Sequence, residues 1–492
     1  MMRKETRVTL RVHWALALGA CAVLGAAAVW MGGLNQDEGW YLYAANLVAD
    51  GQVPYRDFAY TQGPVMPYVY GAFAWVWKVG GLLGARIFTL ALGLAGILLA
   101  ADLAGRLVPA ERRATASLIA FFLLATNLYH LYYVTIPKTY ALAGLFVLAG
   151  FWLLRLAQTR AKPLVPALAA GVCLALAAGT RISLGATLPV VGLGLLATRQ
   201  RTALAGFCLG GFGALALAYG PFLCDAAARE GLLAAQRYHA ARGGFDPVWT
   251  VGSLSRLVRW YLPVFIVLGL GGFRTARGLL AAFLAVFAVQ MLAPFPYEDY
   301  QVPVMGLLAV FAAANFAARA ECPAPRAALL VLGLCFATSF GSPLLEKWTT
   351  NGQDCFWTLK KDKTELAQLR DVAATINALD PDGQTLFTQD LYLAIETLRR
   401  VPKGLEMGPF AILSDAAWRQ LLKTTDCPVA ALSGYAFAIE PPRCDRRPLQ
   451  QQFDYLNILK ANYRLALREE AFGQNATPLL ILTRKPAPAA TP

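Results

Sequence analysis

The sequence has little charge and little histidine. Charged residues make up 15% of its 492 residues, and its three histidines are too dispersed to predict a catalytic or metal-binding cluster. The nine cysteines show no metal-ligand spacing. A Walker A loop, a Rossmann glycine fingerprint, a CxxC pair and a nucleophile elbow are also absent. These absences argue against a nucleotide-driven pump and against direct use of a nucleotide-activated substrate.

Hydrophobic residues, by contrast, make up 57% of the chain, and the mean hydropathy is +0.48. These values lie outside the range of soluble domains and predict a membrane protein. Apolar stretches of about 20 residues recur from Val12 to Pro343. The predicted spans are Trp14–Met31 and 82–105, 114–133, 138–154, 163–180, 183–198, 203–223, 260–273, 278–295, 302–318 and 327–343. A cleaved signal peptide is the alternative for the first.

We therefore predict a polytopic α-helical membrane protein of about eleven transmembrane helices over residues 1–343, with a first outer loop over 32–81. Residues 344–492 are predicted to form a small extracytoplasmic α/β domain. Its predicted helices cover 364–379, 391–399, 415–423 and 449–462, and its predicted strands cover 384–388, 429–435, 463–470 and 479–483. Cys427 and Cys444 are candidates for a disulfide there.

Arginine and lysine alternate between the loops as the positive-inside rule requires. With a cytoplasmic N-terminus, every short cytoplasmic turn is basic, and the odd number of spans places the C-terminal domain outside. The formal charge of +14 is therefore mostly a signal of topology. It gives no reason to expect a nucleic-acid partner, which would require basic residues massed on one soluble face. We predict a multi-pass protein of the bacterial inner membrane.

Two adjacent carboxylates, Asp37 and Glu38, follow the first span. Apolar and aromatic residues from Gly39 to Asp50 fall at helical spacing, which predicts a helix lying at the membrane surface. This helix would begin at Asp37 or Glu38, where the helix dipole favours a negative charge. Asp37 is thus either an ionised functional group or simply the N-cap of the helix.

The loop as a whole resembles one family. Asp37-Glu-Gly-Trp-Tyr is followed by Gly51-Gln-Val-Pro-Tyr-Arg-Asp and by Gly63-Pro-Val-Met-Pro-Tyr. This pattern resembles the GT-C superfamily of membrane glycosyltransferases, in the branch of the protein O-mannosyltransferases and the lipid A aminoarabinose transferase. Gly84-Ala-Arg-Ile-Phe, Pro137-Lys-Thr-Tyr-Ala-Leu and Gly179-Thr-Arg-Ile-Ser-Leu resemble later parts of the family with less specificity.

The resemblance implies a donor sugar on a polyprenyl phosphate and a catalytic acidic residue in the first outer loop. Glycosyl transfer needs a base for the acceptor hydroxyl and a group that stabilises the departing phosphate. We predict Asp37 as the base of an inverting transfer, with Glu38 as the reserve. Tyr41 and Tyr60 in the same loop are candidate substrate contacts.

Lys138 and Arg181 are the main candidates for the phosphate, because both lie at outer ends of spans, against the positive-inside trend. Snorkelling to headgroups is the alternative for each.

Arg56 and Arg86 are weaker candidates, since either could pair with Asp50 or Asp57.

A second acidic loop contains Glu298, Asp299 and Tyr300. Its carboxylates are candidates to orient the donor sugar or to bind a divalent cation together with Asp37, and ordinary solvation is the alternative. The resemblance leaves the metal requirement unknown, and we predict no other cofactor.

The predicted function is transfer of a sugar from a polyprenyl-phosphate donor to an extracytoplasmic lipid, glycan or protein. A transporter or flippase of lipid-linked saccharides and a noncatalytic envelope assembly protein are the alternatives. A transporter would be expected to have internal repeats and broken midplane helices, and no convincing repeat is found.

Overall fold

The structure is a computed structural model. It describes residues 2–240, 243–319, 327, 331, 333, 363–411, 413–434, 449–474 and 476–486. Within these residues the chain is mostly helical, with one four-stranded sheet near the C-terminus.

The helices before the sheet are numbered in chain order. They are α1 (Met2–Met31), α2 (Gln36–Ala49), α3 (Val65–Gly71), α4 (Trp75–Arg106), α5 (Arg113–Ala125), α6 (Leu128–Tyr133), α7 (Thr139–Thr159), α8 (Leu164–Thr180), α9 (Thr187–Ala197), α10 (Arg201–Cys224), α11 (Ala226–Ala240), α12 (Pro247–Trp260), α13 (Leu262–Gly271), α14 (Arg277–Met291) and α15 (Val302–Arg319). A 3₁₀ turn over Glu298–Gln301 precedes α15.

Five of the described helical segments are long and apolar enough to cross a membrane, and a sixth is reached if α12 and α13, bent by 77°, form one span. Three further apolar helical segments are shorter: α8, α14 and the stretch Ile182–Ala197. The predicted span 327–343 lies almost wholly outside the described residues. The chain is thus a multi-pass membrane protein by these helices, while the count of about eleven stays a prediction.

The predicted span 114–133 is interrupted in the structure. Helix α5 ends at Ala125, and Asn127 begins α6 by accepting a hydrogen bond from the backbone N–H of His130. Thr126 also turns its hydroxyl back onto the carbonyl of Phe122. Hydropathy averaged over twenty residues does not register these two polar side chains, which explains why a single span was predicted.

Helices α8 and α10 pack closely through glycine. A Cβ added at Gly171 would lie 2.2 Å from the carbonyl oxygen of Phe207, and one at Gly210 would lie 2.1 Å from that of Leu168. Small residues let membrane helices approach at backbone distance, where dispersion contacts replace the missing hydrophobic effect. This contact fixes the position of α8, whose C-terminal end carries Arg181.

The described residues of the C-terminal region include four helices and four strands. They are α16 (Glu365–Leu379), α17 (Leu391–Thr397), α18 (Asp415–Thr424), α19 (Leu449–Asn462), β1 (Phe387–Thr388), β2 (Val429–Ser433), β3 (Tyr463–Phe472) and β4 (Thr477–Arg484). The strand order is β1-β2-β4-β3. The β1–β2 pair is parallel, and β4 is antiparallel to both β2 and β3. Cys444 is outside the described residues, so the disulfide with Cys427 stays a prediction.

The chain forms two compact units. Unit 1 comprises 1–29, 61–66 and 86–346, and unit 2 comprises 30–60, 67–85 and 347–492. Most of the predicted first outer loop therefore belongs to the same unit as the sheet. This grouping gives α2 a protein environment: ten of its fourteen residues are buried, and it packs against α17. The side chains predicted to face the membrane surface are covered by protein.

Candidate functional site

The first turn of α2, in unit 2, is closed by a capping box. Asn35 is the N-cap, and its side-chain oxygen accepts a hydrogen bond from the backbone N–H of Asp37 at 3.0 Å. The carboxylate of Glu38 accepts the backbone N–H of Asn35, also at 3.0 Å. The helix thus begins at Gln36, one residue before the predicted start, and the alternative in which Asp37 is the N-cap is wrong.

The two adjacent acids differ in environment. Glu38 is fully buried and bound to the backbone that precedes its own helix. Asp37 is half-buried, and its Oδ1 accepts a hydrogen bond from the indole N–H of Trp40 at 2.9 Å. Because a capping box needs the oxygen of Glu38 for the backbone, Asp37 is the acid of this pair that is better suited to meet a ligand.

Aromatic rings pack beside Asp37 in the same unit. The ring of Trp40 stacks on Tyr41 with centroids 3.8 Å apart, and Tyr60 lies 5.5 Å from Trp40 and 6.4 Å from Tyr41. All three side chains are buried. The predicted substrate contacts Tyr41 and Tyr60 therefore form one cluster with the indole that binds Asp37.

C-terminal residues hold the start of α2. Gln36 donates from its side chain to Asp390 at 2.6 Å and to the hydroxyl of Tyr392 at 3.0 Å, and that hydroxyl donates to Asp390 at 3.0 Å. Just upstream, the backbone N–H of Leu34 donates to Glu365 at 2.7 Å. Burial raises the pKa of Asp390. The sequence offered no chemical motif here, because these partners lie more than 300 positions apart along the chain.

The weaker arginine candidates occupy unlike environments. In unit 2, Arg56 makes two hydrogen bonds of 2.9 Å to Asp57 and is exposed, so the predicted pairing with a nearby acid is found. This guanidinium, together with the backbone N–H of Val53, lowers the pKa of Asp57 to about 2. In unit 1, Arg86 is fully buried and donates to the carbonyl of Val29 at 3.2 Å.

Lys138 and Asp299, both in unit 1, form a buried ion pair. Their nitrogen and oxygen lie 2.8 Å apart, and the side chains are 7% and 11% exposed. Tyr140 donates to the same carboxylate oxygen at 2.9 Å. The ammonium also lies 4.7 Å from the centre of the Tyr140 ring, within the range of a cation–π contact. The predicted phosphate ligand Lys138 is thus partly neutralised by an acid from the second acidic loop.

Arg181 joins this cluster through aromatic rings. Its guanidinium carbon lies 4.4 Å from the centre of the Tyr300 ring and 5.2 Å from that of Tyr140. The structure therefore brings together Lys138, Arg181, Asp299 and Tyr300, four residues predicted separately, and adds Tyr140 as the shared contact. Two cations and one carboxylate leave this cluster positively charged.

The same loop carries a second ion pair and a buried amide. Arg256 lies 3.1 Å from Glu298, with side chains 42% and 17% exposed. Gln301 is fully buried, and within the described residues neither polar atom of its side chain makes a hydrogen bond. The hydroxyl of Thr139, next to Lys138, is also buried and makes no hydrogen bond within the described residues. Sequence reasoning missed both residues, because their unsatisfied state becomes visible only in the folded chain.

Among the described residues, no group of three or more histidines, cysteines and acids could hold a metal ion. Asp299, predicted as a ligand of a divalent cation, is bound to an ammonium and a phenol. A cation at its Oδ2 would have to displace both donors.

The fold is similar to those of solved structures of ArnT, of an archaeal oligosaccharyltransferase and of an arabinofuranosyltransferase. This likeness of fold agrees with the resemblance inferred from the first outer loop. No protein-family model matches the sequence, and no curated protein sequence matches it.

One matching structure is ArnT from Cupriavidus metallidurans bound to undecaprenyl phosphate, with a TM-score of 0.63 and 14% identity over 96% of this chain and 97% of ArnT. The oligosaccharyltransferase of Archaeoglobus fulgidus tethered with an acceptor peptide matches with a TM-score of 0.50 and 12% identity, over 94% of this chain and 74% of the other. The arabinofuranosyltransferase AftD from Mycobacteria gives 0.50 and 15%, over 95% and 41%. At such identities the shared property is the fold.

Proposed function

We propose that this protein is an integral membrane glycosyltransferase that moves a sugar from a polyprenyl-phosphate donor to an extracytoplasmic lipid, glycan or protein. The observation that carries the proposal is the fold likeness to ArnT bound to undecaprenyl phosphate, which extends over nearly the whole of both chains. A donor of the same chemical class suits a chain that combines long apolar helices with a cluster of buried cations.

In this proposal Asp37 is the general base, and the anomeric carbon is inverted. The acceptor hydroxyl attacks that carbon, its proton passes to the carboxylate of Asp37, and the bond to the lipid phosphate breaks. The half-buried setting of Asp37 and the capping role of Glu38 support this choice between the two acids. Proton abstraction by a positioned carboxylate contributes about a hundred- to ten-thousand-fold in rate.

The departing phosphate is the proposed ligand of Lys138, Arg181 and Tyr300. Positive charge held in a site of low dielectric stabilises a phosphate oxyanion more strongly than the same charge in water. The cluster keeps a net positive charge even though Asp299 pairs with Lys138, because Arg181 adds a second cation. This net charge supports the assignment. Gln301 and Thr139 are the proposed contacts for the hydroxyl groups of the donor sugar, because a buried amide and hydroxyl without partners are costly unless a ligand or water satisfies them.

We further propose a cytoplasmic N-terminus and an extracytoplasmic C-terminal region, in a bacterial inner membrane. The basic turns between the predicted spans support this orientation. It places the α2 turn with Asp37 on the outer face, where lipid-linked sugars are presented to exported acceptors.

The test compares two isosteric variants of the adjacent acids. Asp37→Asn keeps the acceptor for Trp40 and loses the base, whereas Glu38→Gln keeps the acceptor for Asn35, since glutamine also completes a capping box. Purified proteins in nanodiscs would receive radiolabelled polyprenyl-phosphate sugars and a membrane extract as acceptor, with and without EDTA. We expect Asp37→Asn to lose at least about a hundredfold in turnover while retaining donor binding, and Glu38→Gln to stay near wild type.

Equal transfer by wild type and Asp37→Asn would show that Asp37 is not the base. Donor binding without transfer by the wild type, together with movement of the labelled lipid across the bilayer, would favour a flippase instead. Loss of transfer on addition of EDTA would establish the divalent cation that the sequence left open.

A further inference from the structure

An apolar cavity lies within unit 1, at the ends of four helices. Its volume is about 360 Å³, within the range of small-ligand sites in proteins, about 300–1,000 Å³. The walls come from the C-terminal ends of α4, α7 and α9 and from the N-terminal end of α14. The lining residues are Leu103, Leu107, Phe151, Leu154, Arg155, Gln158, Val190, Val191, Gly194, Leu195, Thr198, Ala276, Gly278 and Leu279.

This cavity is separate from the candidate phosphate cluster. Lys138 directly precedes α7, and Arg155 lies in the penultimate turn of the same helix. Because α7 has 21 residues, its two ends are roughly 30 Å apart at about 1.5 Å per residue. The cavity therefore belongs to the opposite ends of the helices from Lys138, and its role does not depend on the proposed glycosyl transfer.

The charge around the cavity has one sign. Among the described residues that line it, none is acidic and Arg155 is the charged one. Arg155 donates twice to the carbonyl of Arg106, at 3.1 and 3.0 Å, which fixes its guanidinium beside the apolar walls. Arg199 directly follows the lining residue Thr198, and Arg277 stands between two others.

Asp102, the residue before the lining residue Leu103, is bound to groups other than Arg155. Asp102 is bound to Arg106 at 2.5 Å and to the indole of Trp152 at 2.7 Å. Arg155 is left as the charged side chain among the described lining residues, and Arg199 and Arg277 are sequence neighbours of other lining residues. An anion is the ligand that this arrangement favours.

The rim of the cavity on α9 is itself apolar. Leu193 and Leu196 flank the lining residues Gly194 and Leu195 and are 64% and 59% exposed. Exposed leucines on a helix of this hydropathy are suited to contact hydrocarbon rather than water. The cavity thus combines an apolar chamber, an apolar rim and arginines at the helix ends.

We propose that this cavity binds one acyl chain of an anionic phospholipid, with the lipid phosphate on Arg155. Acyl methylene groups match the apolar walls, and the guanidinium matches the phosphate, as in basic pockets between membrane helices that hold anionic headgroups. A zwitterionic lipid lacks the net charge that the surrounding arginines favour.

Two glycines of α9 provide a matched test. A Cβ built on Gly194, which lines the cavity, meets no atom within 4 Å, and the same holds for Gly192, which does not line it. Gly194→Leu should therefore fill the chamber without displacing its walls, and Gly192→Leu adds the same side chain to the same helix outside it. Leucine also has the higher helix propensity, so neither variant should weaken α9.

The measurement is native mass spectrometry of the full chain titrated with phosphatidylglycerol or phosphatidylcholine, together with the thermal midpoint in each lipid. We expect wild type and Gly192→Leu to retain phosphatidylglycerol and to be stabilised by it, and Gly194→Leu to bind it at least about tenfold more weakly. Arg155→Gln should bind both lipids equally, because the chamber remains and the phosphate ligand is gone.

Equal binding of the two lipids by the wild type would overturn the proposal, and so would equal loss in the two glycine variants. Retention of undecaprenyl phosphate in place of phosphatidylglycerol, removed by Gly194→Leu, would show a different occupant and would also overturn it. None of these readouts uses transfer activity, so a failure here is distinct from a failure of the proposed function.

Discussion

Asp37–Glu38 and Glu298–Asp299 are pairs of adjacent acids that the structure uses in different ways. In unit 2, Asp37 accepts a hydrogen bond from Trp40 and Glu38 accepts one from the backbone of Asn35, each partner being three residues away.

In unit 1, Glu298 binds Arg256, and Asp299 binds Lys138 and Tyr140, which are about 160 positions away. The first pair serves the geometry of a single helix end, while the second joins separate helices. Neighbouring carboxylates therefore need not share a function. A partner a few residues away indicates local capping of a helix, whereas a partner far along the chain indicates that the carboxylate joins separate helices.

The largest effect on stability is expected from the Lys138–Asp299 pair. Lys138→Met should lower the free energy of unfolding by about 3–5 kcal/mol, because it leaves a buried carboxylate without its counter-ion. The double variant Lys138→Met/Asp299→Leu should recover most of this loss. Chemical denaturation of the purified protein measures both, and a loss in the double variant equal to the sum of the two single losses would show that the pair is not coupled.

The more exposed pair of the same loop is the control for this prediction. Glu298→Gln should cost no more than about 1 kcal/mol, because Arg256 can be solvated when its partner loses its charge. A cost as large as that of Lys138→Met would contradict the comparison within this loop.

A substitution at Gln301 is expected to weaken donor binding without lowering the free energy of unfolding. Gln301→Leu should leave the free energy of unfolding unchanged or slightly higher, because it removes a buried amide that lacks partners. Affinity for the complete donor should fall by about 1–3 kcal/mol, roughly five- to 150-fold, while affinity for the sugar-free polyprenyl phosphate is kept. Equilibrium binding of both lipids measures the difference.

Gln290 provides the matched control. It is also buried, but its amide donates to Ser183 at 2.9 Å. Gln290→Leu should lower stability without changing the ratio of the two affinities. If Gln301→Leu behaves in the same way, Gln301 is a structural residue and not a sugar contact.

The α2 cap should have a moderate effect. Asn35→Ala should lower the free energy of unfolding by about 0.5–2 kcal/mol, since two backbone N–H groups of the first turn lose their acceptor. Glu38→Ala should cost a similar amount and Glu38→Gln much less, as measured by thermal denaturation. Equal costs for alanine and glutamine at position 38 would mean that the charge of Glu38, and not its capping hydrogen bond, stabilises the turn.

The smallest effect is expected at Asp57. Its pKa is about 2 in the folded protein and about 3.9 when unfolded, so its ionised form adds stability above about pH 4. That stability is lost as the pH falls from about 4 towards 2. Arg56→Gln should reduce this dependence, and Arg56→Lys should keep part of it. Thermal midpoints measured from about pH 5 to pH 3 test this, and identical profiles for all three proteins would contradict it.

Regular elements of the C-terminal region were predictable from residue patterns. The predicted helix over 449–462 is found with these bounds, and the predicted hairpin is found as β3 and β4. The residue patterns that predict these helices and strands are local signals, so they do not depend on packing. The break between α5 and α6 was missed because the prediction averaged hydropathy over about 20 residues. A single capping asparagine starts a new helix even where that average still favours one continuous span.

The candidate site was predictable as separate residues. Lys138 and Arg181 were chosen for their charge at the outer ends of spans, and Asp299 as part of a second acidic loop. The fold joins all three through Tyr140. Tyr140 lies in the Pro137–Leu142 segment that resembles the family, but its contacts with Lys138, Arg181 and Asp299 became visible only in the folded chain. The contacts of Gln36 with Asp390 and Tyr392 were unpredictable for the same reason. Both partners lie far from Gln36 along the chain and meet it only when the chain folds.

The sequence by itself determined that this is a membrane protein of many apolar helices, and that a helix follows Asn35 with two acids in its first turn. These features depend on hydropathy summed over about 20 residues and on hydrogen bonds spanning three or four. Only the tertiary structure decided that Asp299 neutralises Lys138 and that C-terminal residues hold the start of α2. Such contacts form between groups far apart along the chain, and their strength comes from burial, which exists only after the helices have packed.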